Sequence, residues 1–318
     1  MSRRVTAAEA AAMLKEAEDI LLLLHQYPDG DTVGSGCALA LALEMLGKRA
    51  RVACADPIPP KYDYLPKPGG DFEPRFICAV DVADPKLLGS LAPLGAGADL
   101  CIDHHGTNVA YAENLLLDAS CGACAMIVRR VIEELGVPLT RDMANCLYTG
   151  LATDTGCFKY ENTDPAAHRL AAELMEAGAE YARINELMFD KKSRARMDLE
   201  ERALAGMRYF FDGRCAVMAI TNRMIAESGA VEDDLEGLAP IPRQIEGVVV
   251  GVTLREKAAG DYKVSFRTGE GGADAAAIAV TLGGGGHKRA AGCTVPGPVD
   301  EAVRRVVEAI RETLPDME

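Results

Sequence analysis

The chain has 318 residues, 49% of them hydrophobic, no tryptophan and a formal net charge of −14. This length suits about two domains, each able to bury its own core. The acidic balance argues against coating long duplex nucleic acid through a broad basic surface. It leaves room for a pocket in which metal ions and arginines set the field around a short phosphorylated ligand. No apolar run approaches the roughly 20 residues of a membrane span. Met1-Ser2-Arg3-Arg4 leads into an Ala/Glu/Lys-rich stretch without a secretory core, so the expectation is a cytoplasmic protein without membrane attachment.

In chain order, the first half alternates short apolar runs with helical patterns. Ile20–His25 reads as a strand covered on both faces, and 32–46 as a small-residue helix that Gly47 ends. Further strands are expected at 51–55, 75–81 and 99–103, with helices at 121–135 and 141–151. This alternation predicts an α/β fold whose first domain has a doubly wound, mainly parallel sheet. The stretch from Asp164 to Phe210 turns helical and charge-rich, reading as a connector and a candidate hinge. Beyond it, strands at 215–220, 247–255 and 262–267 and helices at 274–282 and 299–314 predict a smaller mixed α/β domain. The expected organisation is therefore 1–185, a helical connector at 186–210, and 211–318, with the active site in the cleft between the domains.

Ten cysteines lie mostly singly in apolar segments, where a free thiol packs as a small hydrophobe. The pair Cys121 and Cys124 has no partner pair at zinc-finger spacing and is read as structural, with a redox or metal role as the alternative.

Four of the five histidines sit beside aspartates or glycines. His25 precedes Asp29 and Asp31; Asp103 leads His104 and His105; His287 closes G-G-G-G-H-K-R-A-A-G from Gly283 to Gly292; His168 alone stands in an ordinary helical stretch and reads as surface. Asp29, Asp31, Asp81 and Asp103 all follow or end expected strands, and ligands of open parallel sheets bind at that edge. Carboxylates crowded there repel one another unless cations neutralise them. Mixed carboxylate and imidazole donors suit Mn²⁺, with Mg²⁺, Fe²⁺ or Zn²⁺ as other occupants. Singly, Asp29-Gly30-Asp31 is an ordinary turn and Asp154 an ordinary helix cap; together with D-H-H they point to metal-assisted phosphoester chemistry. Gly284, Gly285 and Gly286 let backbone N–H groups approach an anion, to which Arg267, His287, Lys288 and Arg289 add charged donors.

The ordered set of His25, Asp29 and Asp31, V-D-V-A-D (80–84), I-D-H-H (102–105) and A-T-D-T-G (152–156) resembles the DHH phosphoesterase superfamily. The glycine run preceded by V-S-F-R-T (264–268) resembles the associated second domain of one branch, the NrnA-like group of nanoRNases that also dephosphorylate 3′-phosphoadenosine 5′-phosphate (pAp). The resemblance implies two divalent cations: one held by His25, Asp29 and Asp81, the other by Asp31, Asp81, His104 and Asp154. It implies that Asp103 orients the motif and that His105 contacts the scissile phosphate and protonates the leaving oxygen. Arg267, Gly284, Gly285, Gly286, His287 and Arg289 would bind substrate: a short single-stranded RNA, a linear dinucleotide or pAp.

Alternatives remain open within the superfamily. A manganese-dependent pyrophosphatase would carry S-R-K where this chain has Ser265-Phe266-Arg267. A RecJ-type exonuclease needs a longer, more basic chain. A cyclic-dinucleotide phosphodiesterase and a non-catalytic nucleotide sensor are the remaining readings, and a homodimer is compatible with all of them.

Overall fold

The computed structural model describes residues 2–235, 237–257, 260–269 and 273–314. The chain divides into two compact units, Met1–Lys191 and Lys192–Glu318.

The first unit is built on six parallel strands: β1 (Arg3–Arg4), β2 (Ile20–Leu23), β3 (Ala50–Ala53), β4 (Phe76–Val80), β5 (Leu100–Asp103) and β6 (Asn114–Leu117), in the order β1-β6-β5-β4-β2-β3. Around it lie α1 (Ala7–Glu16), α2 (Gly30–Met45), the short α3 (Ala92–Gly95), α4 (Cys124–Leu135), α5 (Arg141–Asp154), α6 (Pro165–Glu176) and α7 (Tyr181–Asn185). The continuous apolar run of β2 is explained by two cores. Ile20 and Leu22 face the larger one, formed with α1, α2, α4, α5 and α6. Leu21 and Leu23 face the other, with Ala79, Cys101, Leu115 and Leu88. The chain order reverses between β2 and β4, and the crevice beyond the carboxyl ends of such strands is where open α/β sheets take ligands.

Helices α2 and α5 pack backbone to backbone. A Cβ added to Gly34 would lie 2.2 Å from the Cys146 carbonyl oxygen, so a side chain there would force the helices apart. Close approach also sets the amino end of α2, which carries Asp29 and Asp31, beside the carboxyl end of α5, which carries Asp154.

The second unit has strands β7 (Arg208–Phe210), β8 (Cys215–Ile220), β9 (Val250–Glu256), β10 (Asp261–Thr268), β11 (Gly285–His287) and β12 (Ala290–Pro296), in the order β11-β12-β10-β9-β8-β7. Only β8 and β9 among these neighbours run parallel. Its helices are α8 (Arg194–Ala205), α9 (Asn222–Ser228), α10 (Ala275–Thr281) and α11 (Val299–Thr313). Val217, Val252, Val264 and Phe266 form a core with Ile278, Val306 and Ile310. Met218 and Ile220 meet Leu199 and Ala203 of α8.

The stretch 186–210, expected as a connector, divides between the units. Glu186–Asp190 closes the first as a single π-helical turn, whereas α8 buries Leu199 and Ala203 at i,i+4 spacing in the second. At the start of α8, Lys192 and Arg196 approach Glu200 at 2.9 and 3.2 Å. Helix α6, inside the stretch expected to act as a hinge, buries Ala167, Leu170 and Leu174 in the first core. Strands β1 and β6 were not anticipated, nor were β7, β11 and β12. The first is two residues long, β11 is Gly-Gly-His, and β12 opens on Ala-Ala-Gly before its β-branched Thr294 and Val295. Among the described residues no helix is long and apolar enough to cross a membrane.

Gly34→Ala is expected to destabilise the protein by about 1–3 kcal/mol through overpacking. A urea midpoint equal to that of the parent chain would contradict the helix contact.

Candidate metal centre

Each residue of the centre is held by a local reason of its own. Asp29 caps α2, accepting from the backbone N–H groups of Asp31 and Thr32 at 3.1 Å each. Asp31, in the first turn, is 1% exposed. Its Oδ1 accepts from Ser35 Oγ and the Ala125 N–H, both at 3.0 Å, and its Oδ2 accepts from the Cys124 N–H. Those last donors are the first N–H groups of α4, where the helix dipole favours an anion. Thr32 Oγ1 donates to the Val80 carbonyl at 3.0 Å, fastening α2 to the end of β4.

Asp81 follows β4 in a left-handed conformation, φ 62°, a backbone cost of about 1–3 kcal/mol for a non-glycine residue. Its side chain is buried and Oδ1 has no hydrogen-bond partner. Around it stand His104 Nε2 at 3.5 Å from Oδ1, His105 Nδ1 at 3.5 Å from Oδ1 and His25 Nε2 at 4.0 Å from Oδ2.

His104 Nδ1 lies 3.1 Å from the Cys121 carbonyl, so that nitrogen carries the proton and Nε2 presents its lone pair. Nε2 faces Asp31 at 3.9 Å and Asp154 at 3.5 Å as well as Asp81. Three sets of donor atoms each converge within 4.8 Å: His25, Asp29 and Asp81; Asp31, His104 and Asp154; and Asp81, His104 and His105. All six residues expected as metal ligands are thus brought together.

Asp103 is fully buried and acts as a hub. Its Oδ1 accepts from the His104 N–H at 2.8 Å, the His105 N–H at 3.2 Å and His105 Nδ1 at 2.8 Å; its Oδ2 accepts from Asn108 Nδ2 at 2.6 Å. Sequence reasoning missed Asn108, although the G-T-N that follows D-H-H contained the signal. It likewise missed the backbone donors of α4.

The electrostatics follow from this crowding. Burial, compounded by the charges of Asp31, Asp29, Asp103 and Asp154, drives Asp81 well above the ordinary carboxylate range. Burial also raises Asp31, with His104 opposing, and burial with the Asp31 and Asp29 charges raises Asp154 to about 8. Asp103 goes the other way: burial pushes it up, but the hydrogen bonds from His105 and Asn108 outweigh that and hold it low. His105 is raised by its bond to Asp103. Such a donor set, with an orphaned oxygen at its centre, fits divalent cations: they remove the repulsion and take up the lone pairs left inside.

In the second unit, Arg267 and His287 both pair with Ala290 across β10, β12 and β11. Directly opposed residues share a sheet face, so these side chains lie in one row. That face is opposite the core, because Val264 and Phe266 alternate with Arg267. Burial lowers the Arg267 pKa, and its guanidinium donates to the Phe266 carbonyl at 2.9 Å. The glycines differ in role. An added Cβ at Gly284 would lie 2.2 Å from the Gly292 carbonyl and one at Gly286 2.5 Å from Ala291, whereas Gly285 opens to free space. The glycine run is therefore partly an edge strand, with the Gly285 backbone left open. The Lys288 and Arg289 carbonyls accept from Ala275 and Thr268, fixing the turn that follows. Cys121 and Cys124 are buried free thiols and His168 is exposed against Phe158.

The raised carboxylates make a pH prediction. Between the ordinary carboxylate range and about pH 8, the folded, metal-stripped protein holds a proton on Asp154 that the unfolded chain has lost. Stability of the chelated protein therefore falls as pH rises from 5 to 8, by at most about 1.4 kcal/mol per pH unit for each such proton. Urea midpoints should show this fall in chelator and its suppression by Mn²⁺; a midpoint rising with pH in chelator would contradict it.

Models of two protein families match the chain: the DHH family N-terminal domain over residues 19–151 and the DHHA1 domain over residues 212–316. The "Bifunctional oligoribonuclease and PAP phosphatase NrnA" of Thermus thermophilus is 38% identical over 314 residues, 96% of this chain and 93% of that protein. The protein of the same name from Bacillus subtilis is 22% identical over 87% of this chain and 90% of its own length. The fold matches the crystal structure of an exopolyphosphatase-related protein from Bacteroides fragilis with a TM-score of 0.86, at 24% identity, over 98% of this chain and 97% of that one. With the ligand geometry, both domains and a full-length relative in agreement, the chain belongs to the DHH family of phosphoesterases, in the branch whose second domain is DHHA1.

Proposed function

We propose that this protein hydrolyses short oligoribonucleotides, of about two to five residues, to nucleoside monophosphates, and removes the 3′-phosphate of pAp to leave AMP. The observation that carries the reading is the convergence of His25, Asp29, Asp31, Asp81, His104 and Asp154 around the unpartnered Asp81 Oδ1. The name of the Thermus thermophilus relative supports the substrate class. We place the activity in the cytoplasm, on single-stranded rather than duplex nucleic acid.

His25, Asp29 and Asp81 would hold one divalent cation, and Asp31, Asp81, His104 and Asp154 the second, with Asp81 shared; Mn²⁺ suits this donor set. Bound there, the pair supplies an activated water and charge neutralisation at the phosphoryl oxygens. The chain's own residues do the rest. Asp103 holds His105 by Nδ1, leaving Nε2 for the substrate. That bond raises the pKa of His105, which favours His105 as the proton donor to the leaving oxygen. Arg267, His287, Arg289 and the backbone of Gly284, Gly285 and Gly286 bind the phosphate of the substrate remote from the cut.

The test is hydrolysis with Mn²⁺ of 5′-phosphorylated RNA of two to five residues, pAp, a cyclic dinucleotide and pyrophosphate. Mononucleotide from RNA and AMP from pAp are expected. Asp81→Ala should lower kcat by a factor on the order of 1000 or more, as loss of a shared ligand to both cations implies. Turnover confined to pyrophosphate or to the cyclic dinucleotide would overturn the substrate assignment. His105→Asn is expected to lower kcat by about 100-fold with little change in KM, a split that a substrate-binding role alone would reverse.

A further inference from the structure

Immediately beyond Asp154 the backbone adopts three consecutive left-handed residues, Gly156 (φ 57°), Cys157 (φ 57°) and Phe158 (φ 63°). Two of these are not glycine, and such strain persists only where the surroundings over-determine it. Here they do. The Cys157 N–H donates to the Ala152 carbonyl at 2.7 Å, the Phe158 N–H to Thr155 Oγ1 at 3.2 Å and the Tyr160 N–H to the Thr155 carbonyl at 3.1 Å. Asn162 Nδ2 then ties the far end to the Asp154 carbonyl at 3.1 Å and the Gly122 carbonyl at 2.8 Å. Gly122 adjoins Cys121, whose carbonyl holds His104. The turn is thus fastened to the backbone of one candidate metal ligand and beside the anchor of another.

This turn carries two aromatic rings in different surroundings. Phe158 is partly buried, its ring 5.1 Å from that of His168 and 6.2 Å from that of Tyr148. Tyr160 is 61% exposed. Its ring lies on the Gly156 backbone so closely that a Cβ there would come within 2.3 Å of Cζ and 2.6 Å of Cε1. Single exposed apolar side chains are ordinary. A ring with one face seated on a fixed turn and most of its surface in solvent, six residues beyond a metal ligand, is a rigid stacking surface. Tyr27, between His25 and Asp29, is more exposed at 75%, but Tyr160 is the ring with a glycine seat. A nucleobase is neutral, so an acidic site does not repel it, and an aromatic ring takes any base through its π face.

We infer that Tyr160 is the nucleobase platform of this site, stacking the base of the nucleotide whose phosphate meets the metal centre. The inference rests on the phosphoesterase reading and adds the feature that recognises the substrate as a nucleotide.

The test is equilibrium binding of AMP and of ribose 5-phosphate to the full chain loaded with Mn²⁺, measured by calorimetry. Parent protein should bind AMP about tenfold or more tightly than ribose 5-phosphate, the lower part of the range for one stacked base. Tyr160→Leu should bring that ratio close to one, and Tyr160→Phe, which keeps the ring, should retain it. A parent ratio near one, or a preference undiminished in Tyr160→Leu, would overturn the platform while leaving the phosphoesterase reading standing. Binding of neither ligand by the parent protein would overturn both.

Discussion

Mutual repulsion among carboxylates at one sheet edge is the constraint around which the first unit is organised. Asp29, Asp31, Asp103 and Asp154 all raise or feel one another's charge around Asp81, which is itself buried with an unpartnered oxygen. Four of these groups are individually tolerable, because local donors or partial exposure offset their burial. Asp29 has the amino end of its own helix, Asp31 has the amino end of α4, Asp103 has two histidines and Asn108, and Asp154 keeps access to solvent. Asp81 has no such compensation and sits on strained backbone. A fold that only needed to be stable would place an apolar residue there. The arrangement makes sense as a receptacle for cations, whose binding energy offsets a cost built into the protein alone.

The scaffold turns that constraint into geometry. Because the sheet is covered on both faces, its parallel strands are held rigidly and their carboxyl ends share one edge. The direct pairing of β2 with β4 at the reversal of strand order brings His25 and the amino end of α2, with Asp29 and Asp31, beside Asp81. Glycine at position 34 lets α2 and α5 approach until the opposite ends of two helices meet at the same place. His104 then faces Asp31, Asp81 and Asp154 with a single nitrogen whose tautomer is set from behind by a backbone carbonyl.

How far these features could be read from the sequence depended on whether they follow from neighbours along the chain or across space. The candidate ligands were legible because D-G-D follows an apolar strand, D-H-H ends one and T-D-T-G ends a helix, and strand ends share an edge. Asn108 was not, because its role comes from reaching back to Asp103 across a turn. The donors to Asp31 were not, because they are main-chain groups of a helix 93 residues away. In the second unit the apolar strands β8, β9 and β10 announced themselves, while β11 is Gly-Gly-His and the alternation of Ala291, Cys293 and Val295 in β12 rests on small side chains. The division of 186–210 was hidden for a similar reason: a charged helix with two buried residues looks solvated until its partner strand is known.

The most direct measurement is Mn²⁺ titration of the purified chain, followed by electron paramagnetic resonance and a count of bound metal. Two ions per chain with a spin-coupled spectrum, collapsing to an uncoupled signal or to no binding in Asp81→Ala, is the predicted result. Two magnetically independent ions, a single ion, or unchanged coupling after Asp81→Ala would contradict a centre in which one buried carboxylate is shared between two cations.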